Sequence, residues 1–312
     1  MSGGVRLSPA LFMGADLQPV RVALFAPGLK ERVMTKAMES GADAVILDLE
    51  DSVPLADKAE ARALVAKTID QAAGRGGPAI WVRVNAAATA FLEDDLQAVV
   101  RPGLDVVLLP KAETTEDVQR MAAAIERHEA AHKMTPDSVA IVPMIESALG
   151  VRNCFDLIKA SPRVAATCFG SARDGDLQTD LGCAWSIEGT ELLYARSKVL
   201  LDTRAAGPHL VPLDGVFSDL NDEAGLIADS KLSARLGYVG RTVIHPKQIA
   251  PVRQAYAVPE SEVAYYRKVV AEFEKAERAG TAAIQVDGKL IDYAMVQRAR
   301  RVLELAERDA GR

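Results

Sequence analysis

Ala44-Val45-Ile46-Leu47-Asp48-Leu49-Glu50-Asp51 begins as an unbroken apolar run and ends on three carboxylates. An apolar run of this kind, without polar alternation, is what a strand buried on both faces of a parallel sheet requires. Similar runs lie at 22–26, 80–85, 106–110, 140–145 and 164–169, with weaker ones at 210–213 and 241–244. Helix-length stretches separate them, among them 57–71, 114–132, 188–206, 220–236 and 261–279. Thr114 with Asp117 three residues on has the form of a capping box, a helix start signal. Eight strand–helix units over about 260 residues are what a closed (β/α)8 TIM barrel needs. A doubly wound open sheet is the alternative. It generally has five or six strands, and the early glycine-rich turn here lacks a G-x-G-x-x-G fingerprint.

Past the eighth unit, 282–286, Asp287-Gly288 and 289–291 spell a hairpin on a D-G turn, and 293–307 an amphipathic helix. A barrel closes without this tail. The expected division is therefore a catalytic barrel over 1–280 and a C-terminal lid or oligomerisation extension over 281–312.

The chain has 312 residues, of which 49% are hydrophobic and 26% charged. That is ample for a large core and excludes intrinsic disorder. No apolar run approaches the roughly 18 residues of a membrane span, and 1–20 lacks the form of a secretory signal. Cys154, Cys168 and Cys183 are too scattered for a disulfide framework or a paired zinc site, which fits a reducing cytoplasm. A net charge of −6 argues against a general nucleic-acid binder.

Barrel chemistry sits at the C-terminal strand ends. The residues there are Asp48, Glu50 and Asp51 after strand two, Arg83 and Asn85 on strand three, and Lys111 after strand four. Glu146 follows strand five, Ser171 to Asp176 follow strand six, and His245 follows strand eight. Oxygen-rich rims of this composition suit a hard ion, Mg²⁺ or Mn²⁺, held by one or two carboxylates with positions left for an oxyanionic substrate. The plainer reading is a solvated barrel end whose charges only pair with one another.

Leu24-Phe25-Ala26-Pro27-Gly28, Gly41-Ala42-Asp43, Leu47 to Val53, Val82-Arg83-Val84-Asn85 and Leu109-Pro110-Lys111 form an ordered series of motifs. Met144-Ile145-Glu146-Ser147-Ala148 and Ile244-His245-Pro246-Lys247-Gln248-Ile249 continue it. Together the series resembles the citrate lyase β-subunit family, over residues from about 21 to 305. The tail Gly288-Lys289-Leu290-Ile291-Asp292 resembles that of malyl-CoA and citramalyl-CoA lyases, whereas citrate lyase β-subunits proper are expected to lack one. The resemblance implies a (β/α)8 barrel, Mg²⁺ on Glu146 and Asp176, and Arg83 on the substrate's carbonyl or alkoxide oxygen. About two extra residues between Gly170 and Asp176 keep Asp174 open as a rival ligand. CoA contacts are implied at Phe25, Lys30, Lys36, Ile244 and His245, with Lys30 standing where related lyases often carry an arginine. Asp292 is implied as a catalytic acid/base from the tail, reaching a neighbouring subunit of a homotrimer or hexamer.

The implied reaction cleaves a short 3-hydroxydicarboxylyl-CoA to acetyl-CoA plus glyoxylate or pyruvate. A citryl-thioester lyase subunit acting on an acyl-carrier protein, an aldolase of free 2-oxo acids, and a non-catalytic barrel subunit are the alternatives. Each residue also has a structural reading. Arg83 can pair with Glu50 or Asp51, Lys30 and Lys36 can form a solvated helix face, Asp292 can cap the last helix, and His245 can brace a strand end. His128-Glu129-Ala130-Ala131-His132 matches the H-E-x-x-H zinc helix. It falls at the end of a helix that points to the barrel's N-terminal face, away from the chemistry.

Overall fold

The strand runs dictate the barrel by their parity. Along a strand, side chains alternate between faces, so Ala23, Ala44, Ile46, Trp81, Val106, Leu108, Ala140, Val142, Ala166 and Cys168 form one cluster inside. Their neighbours Val22, Leu24, Val45, Leu47, Val82, Val107 and Ile141 pack outward with the helices in a second cluster. The computed structural model describes residues 20–310. Its eight parallel strands close in sequence order: β1 (Val22–Pro27), β2 (Ala44–Asp48), β3 (Ala79–Arg83), β4 (Val106–Leu109), β5 (Ala140–Ile145), β6 (Ala166–Phe169), β7 (Val211–Asp214) and β8 (Gly240–Val243). Register between β1 and β8 (Leu24 opposite Val243) completes the cylinder. All eight expected strands are present, shifted by at most two residues at either end, and the open sheet is excluded.

The helices between them are α1 (Glu31–Met38), α2 (Lys58–Ala72), α3 (Leu92–Val99), α4 (Thr115–Ala131), α5 (Ala148–Lys159), α6 (Asp176–Leu181), α7 (Leu193–Ala206), α8 (Glu223–Leu236) and α9 (Ile249–Tyr256). Thr114 accepts from the Asp117 amide and Asp117 accepts from the Thr114 amide, so the capping box at α4 is real. At the other end of α4 the zinc-like motif is structural. Glu129 is buried and takes two hydrogen bonds from Arg163 (3.0 and 2.7 Å) and one from the Val139 amide at the entry to β5. His128 faces Glu93 at 3.4 Å.

A second compact unit begins at Ala257. In it α10 (Glu260–Arg278) and α11 (Tyr293–Ala310) pack with the hairpin β9 (Ile284–Val286) and β10 (Lys289–Ile291) around Val269, Phe273, Val286, Ile291, Val296 and Ala299. The turn residues Asp287 and Gly288 both have left-handed backbones (φ 49° and 78°), as a tight hairpin demands. The expected boundary after residue 280 thus differs from the compact division, in which α10 joins the tail. Its apolar face at Val269 and Phe273 finds its partners on the hairpin and α11, which strand counting does not reveal. Among the described residues, no helix is long and apolar enough to cross a membrane.

Candidate active site

Strand parity carries several expected residues to one place. Ala23 and Ile46 point inward, so Phe25 and Asp48, two residues on, do too. Trp81 does the same for Arg83, and Val142 and Met144 for Glu146. Register then sets Asp48 opposite Arg83 on adjacent strands. The two meet as a bidentate pair, Arg83 Nε to Asp48 Oδ1 at 2.7 Å and Nη2 to Oδ2 at 2.8 Å. Arg83 Nη1 also lies 3.0 Å from Glu50 and 3.5 Å from Asp51, and its guanidinium stands 5.0 Å over the Phe25 ring. The expected pairing of Arg83 with Glu50 and Asp51 is present, with Asp48 as its main partner. Burial works against the Asp48 carboxylate, but the charge and hydrogen bonds of Arg83 outweigh it and hold Asp48 below the usual carboxylate range.

Glu146 is 7% exposed, and its Oε1 accepts from the Lys111 amide at 2.8 Å. Burial first, then the charges of Glu50 and Asp176, push its carboxyl up to about 7, against the opposing Lys111 N–H and Arg83. Gly170, the residue after β6, is packed directly behind it. A Cβ there would stand 2.5 Å from the Glu146 Cβ, closer than real Cβ atoms approach. Gly170→Ala is therefore expected to destabilise the fold by about 1–3 kcal/mol, because the strands cannot part without repacking. A denaturant melt indistinguishable from wild type would refute the contact.

The loop after β6 resolves the two aspartates by position. Asp174 has a left-handed backbone (φ 59°) and an exposed side chain whose ion pair is with its neighbour Arg173 at 3.7 Å. Asp176 opens α6 and points to Lys111, its Oδ2 3.5 Å from Nζ. Asp180, one turn further along α6, accepts from the Ala148 amide at 2.7 Å, which ties that helix to the segment just after Glu146. Asp176, rather than Asp174, thus shares the rim network with Glu146.

Lys111, a rim residue of the Leu109-Pro110-Lys111 motif to which the sequence assigns no role, belongs to this network. Its ammonium lies 3.0 Å from Glu50, 3.6 Å from Asp51 and 3.5 Å from Asp176. Burial opposes its charge, but the Glu50 hydrogen bond and these carboxylates raise its affinity for the proton above that of an ordinary lysine. Lys58, equally unforeseen, is buried and donates to the Leu49 and Glu50 carbonyls at 2.7 and 2.8 Å, fixing the loop that carries the acids. At the C-terminal end of β7, buried Arg196 bonds Asp214, and Asp229 bridges Arg196 and Arg241 at 2.8 Å each.

The remaining expected residues are more dispersed. Lys30 is exposed at the N-terminus of α1, beside the rim, whereas Lys36 lies in the last turn of that helix. Six residues of α-helix put them about 9 Å apart along the axis, with Lys36 toward the barrel's other face. Ile244 and His245 are exposed at the end of β8. Gln248 accepts from both their amides, and His245 Nδ1 accepts from the Lys247 amide, so this histidine has a structural role in capping a one-turn helix. Asp292, in the second unit, is exposed and caps α11, its Oδ1 accepting from the Met295 amide at 3.0 Å. A cavity of about 190 Å³ between the loops after β6 and β7 is lined by Ser171, Arg173, Trp185 and Phe217 among others, and by none of the residues expected to hold metal, CoA or the acid/base.

Among the described residues, no group of three or more His, Cys, Asp or Glu side chains is arranged to hold a metal. An all-oxygen donor set and an ammonium seated on the same carboxylates fit a hard cation.

The model of the HpcH/HpaI aldolase/citrate lyase family matches residues 21–246, and that of a carbon–carbon bond lyase of the TIM-barrel fold matches 201–308. The chain is 38% identical over 287 residues to the citrate lyase subunit beta of Escherichia coli (strain K12), covering 92% of this chain and 93% of that protein. It is 35% identical over 295 residues to a (3S)-malyl-CoA thioesterase of Cereibacter sphaeroides (strain ATCC 17025), covering 95% and 97%. The crystal structure of CitE from Mycobacterium tuberculosis with magnesium, acetoacetate and coenzyme A superposes with a TM-score of 0.73 at 28% identity, over 92% of this chain and 98% of that one. One expectation is corrected here. With 92% of this chain matched, the E. coli subunit reaches into 281–312, which make up about a tenth of the sequence. The tail does not separate citrate lyase β-subunits from the CoA-ester lyases.

Proposed function

The chain belongs to the HpcH/HpaI aldolase/citrate lyase family and is a carbon–carbon lyase, and on that premise we propose that it cleaves malyl-CoA or citramalyl-CoA to acetyl-CoA plus glyoxylate or pyruvate. The observation that carries this reading is the convergence of Glu146, Asp176 and Arg83, from three different strand ends, on one network around Glu50 and Lys111. Glu146 and Asp176 would hold Mg²⁺, which when bound supplies a Lewis acid to the substrate's hydroxyl and carboxylate oxygens. Cleavage removes the hydroxyl proton and breaks the bond between the α and β carbons. The electron pair passes to the thioester enolate, and the enolate carbon takes a proton. Arg83 contributes a fixed positive charge to the substrate oxygen, oriented in advance by Asp48 and Phe25. Asp292 of a neighbouring subunit in a homo-oligomer provides the acid for the enolate carbon.

A citryl thioester is the second reading, favoured by the 38% identity to a citrate lyase subunit against 35% to the malyl-CoA protein. Incubation with malyl-CoA, citramalyl-CoA and citryl-CoA plus Mg²⁺ separates the two, because the 2-oxo acids released are glyoxylate, pyruvate and oxaloacetate. Oxaloacetate alone selects the second reading. Free CoA with intact hydroxy acid signals thioester hydrolysis, and no acetyl-CoA from any ester overturns the proposal.

Phe25, Lys30 and Lys36, with the β8 end at Ile244 and His245, are assigned to CoA. Because Lys30 stands at the rim and Lys36 further down α1, Lys30→Ala is expected to raise KM for the ester by about five- to tenfold and Lys36→Ala by less, both with a flatter salt dependence. A fall in kcat with unchanged KM in both variants would move CoA to another part of the rim.

A further inference from the structure

Lys111 touches both carboxylates of the proposed metal pair. Its amide donates to Glu146 at 2.8 Å, while its ammonium lies 3.5 Å from Asp176. Its backbone is left-handed (φ 49°), a conformation few non-glycine residues adopt, and it follows directly on Pro110 at the end of β4. The side chain is 38% exposed and Asp176 49%, so their pair is screened by solvent and weak, whereas Glu50 is 8% exposed and holds the same ammonium at 3.0 Å. Lys111 therefore has a firm partner and a loose one, and the loose one is the metal ligand.

We propose that the Lys111 ammonium is a built-in competitor for the divalent cation: it rests on Glu50, Asp51 and Asp176, the last of them one of the two proposed metal ligands, and gives up Asp176 before that carboxylate can ligate a metal. The physical ground is like-charge repulsion, since an ammonium and a doubly charged ion cannot share one carboxylate without the mutual cost that Coulomb's law sets. Glu50 and Asp51 give the displaced ammonium a place to stay, and the Lys111 amide remains on Glu146 throughout. The consequence is a site that binds the free divalent ion weakly and fills when substrate oxygens add their own ligation. The inference rests on the metal assignment above.

The test is Mn²⁺ binding to the full-length protein without substrate, followed by electron paramagnetic resonance of the free ion. Lys111→Met removes the charge at nearly the same length and is expected to tighten Mn²⁺ binding by about tenfold. Lys111→Arg keeps the charge and is expected to bind within about twofold of wild type. Lys111→Gln serves in place of Met if the latter melts without cooperativity. Unchanged or weaker binding in the uncharged variants overturns the inference, as does equal tightening in Lys111→Arg. Asp176→Asn separates the two levels. If it loses Mn²⁺ while Lys111→Met gains nothing, the competitor role alone falls. If it binds as well as wild type, the metal assignment falls and takes the inference with it.

Discussion

Glu146→Gln is expected to lower Mg²⁺-dependent kcat/KM by about a thousandfold or more, because it removes the charge of a proposed metal ligand without changing the side chain's shape. The same substitution has a second signature that needs no substrate. In the metal-free protein the Glu146 carboxyl is raised from its ordinary 4.5 to about 7, mainly by burial and then by Glu50 and Asp176. A folded-state value above the unfolded one means the folded protein binds the proton more tightly. Its contribution to stability is therefore complete below about pH 4.5 and lost as pH rises through about 7. The loss is at most about 3 kcal/mol for a group this buried. Glutamine does not titrate, so the variant lacks this component. Wild type in EDTA is expected to lose stability relative to Glu146→Gln between pH 5 and pH 8, and Mg²⁺ to restore it at pH 8. Parallel melts of the two proteins across that range would contradict the electrostatics of the site. Full turnover by the variant would remove the metal assignment.

The same residue shows how far the sequence leads. Glu146 lies one residue past an apolar run, and parity from Val142 and Met144 turns it inward. Phe25, Asp48 and Arg83 follow by the same rule; the eight apolar runs announce the barrel, but which parity faces inward is set by the packing and cannot be read from runs that are apolar on both faces. What alternation does not contain is pairing across strands. That Asp48 rather than Glu50 grips Arg83 with both oxygens depends on the register of β2 against β3. Lys111 is hidden for a related reason, since its role arises from a left-handed backbone and from three carboxylates contributed by two other strand ends. The choice between Asp174 and Asp176 lies in a loop with no period to read. There the start of α6, tied down by the Asp180 bond to Ala148, sets Asp176 rather than Asp174 beside Lys111, which supports Asp176 as the proposed ligand. The H-E-x-x-H motif shows the reverse case, a correct helical spacing at the wrong end of the barrel, where Glu129 is committed to Arg163.

Asp292→Asn is expected to reduce cleavage by about a thousandfold while leaving metal binding and the last helix intact. The reason lies in its present bond. Asp292 Oδ1 accepts from the Met295 amide, and asparagine caps a helix as well as aspartate does. The substitution therefore keeps the cap and removes only the titratable proton, whereas Asp292→Ala would confound the two. Unchanged turnover in Asp292→Asn, with a melt like wild type, would reduce this residue to its capping role. If activity falls, the next question is whose site the acid serves. The hairpin and α11 have their own core in a second compact unit, and the barrel is closed by β1 and β8 without them. The proposal is that this tail serves a neighbouring copy. Mixing the two inactive variants, Glu146→Gln and Asp292→Asn, under conditions where subunits exchange tests this directly. A site built from one variant's barrel and the other's tail has both residues intact, and random assembly in a ring gives about a quarter of the sites this composition. Recovery near that fraction places the acid in trans. If exchange is demonstrated and no activity returns, each tail acts on its own barrel and the shared site is wrong.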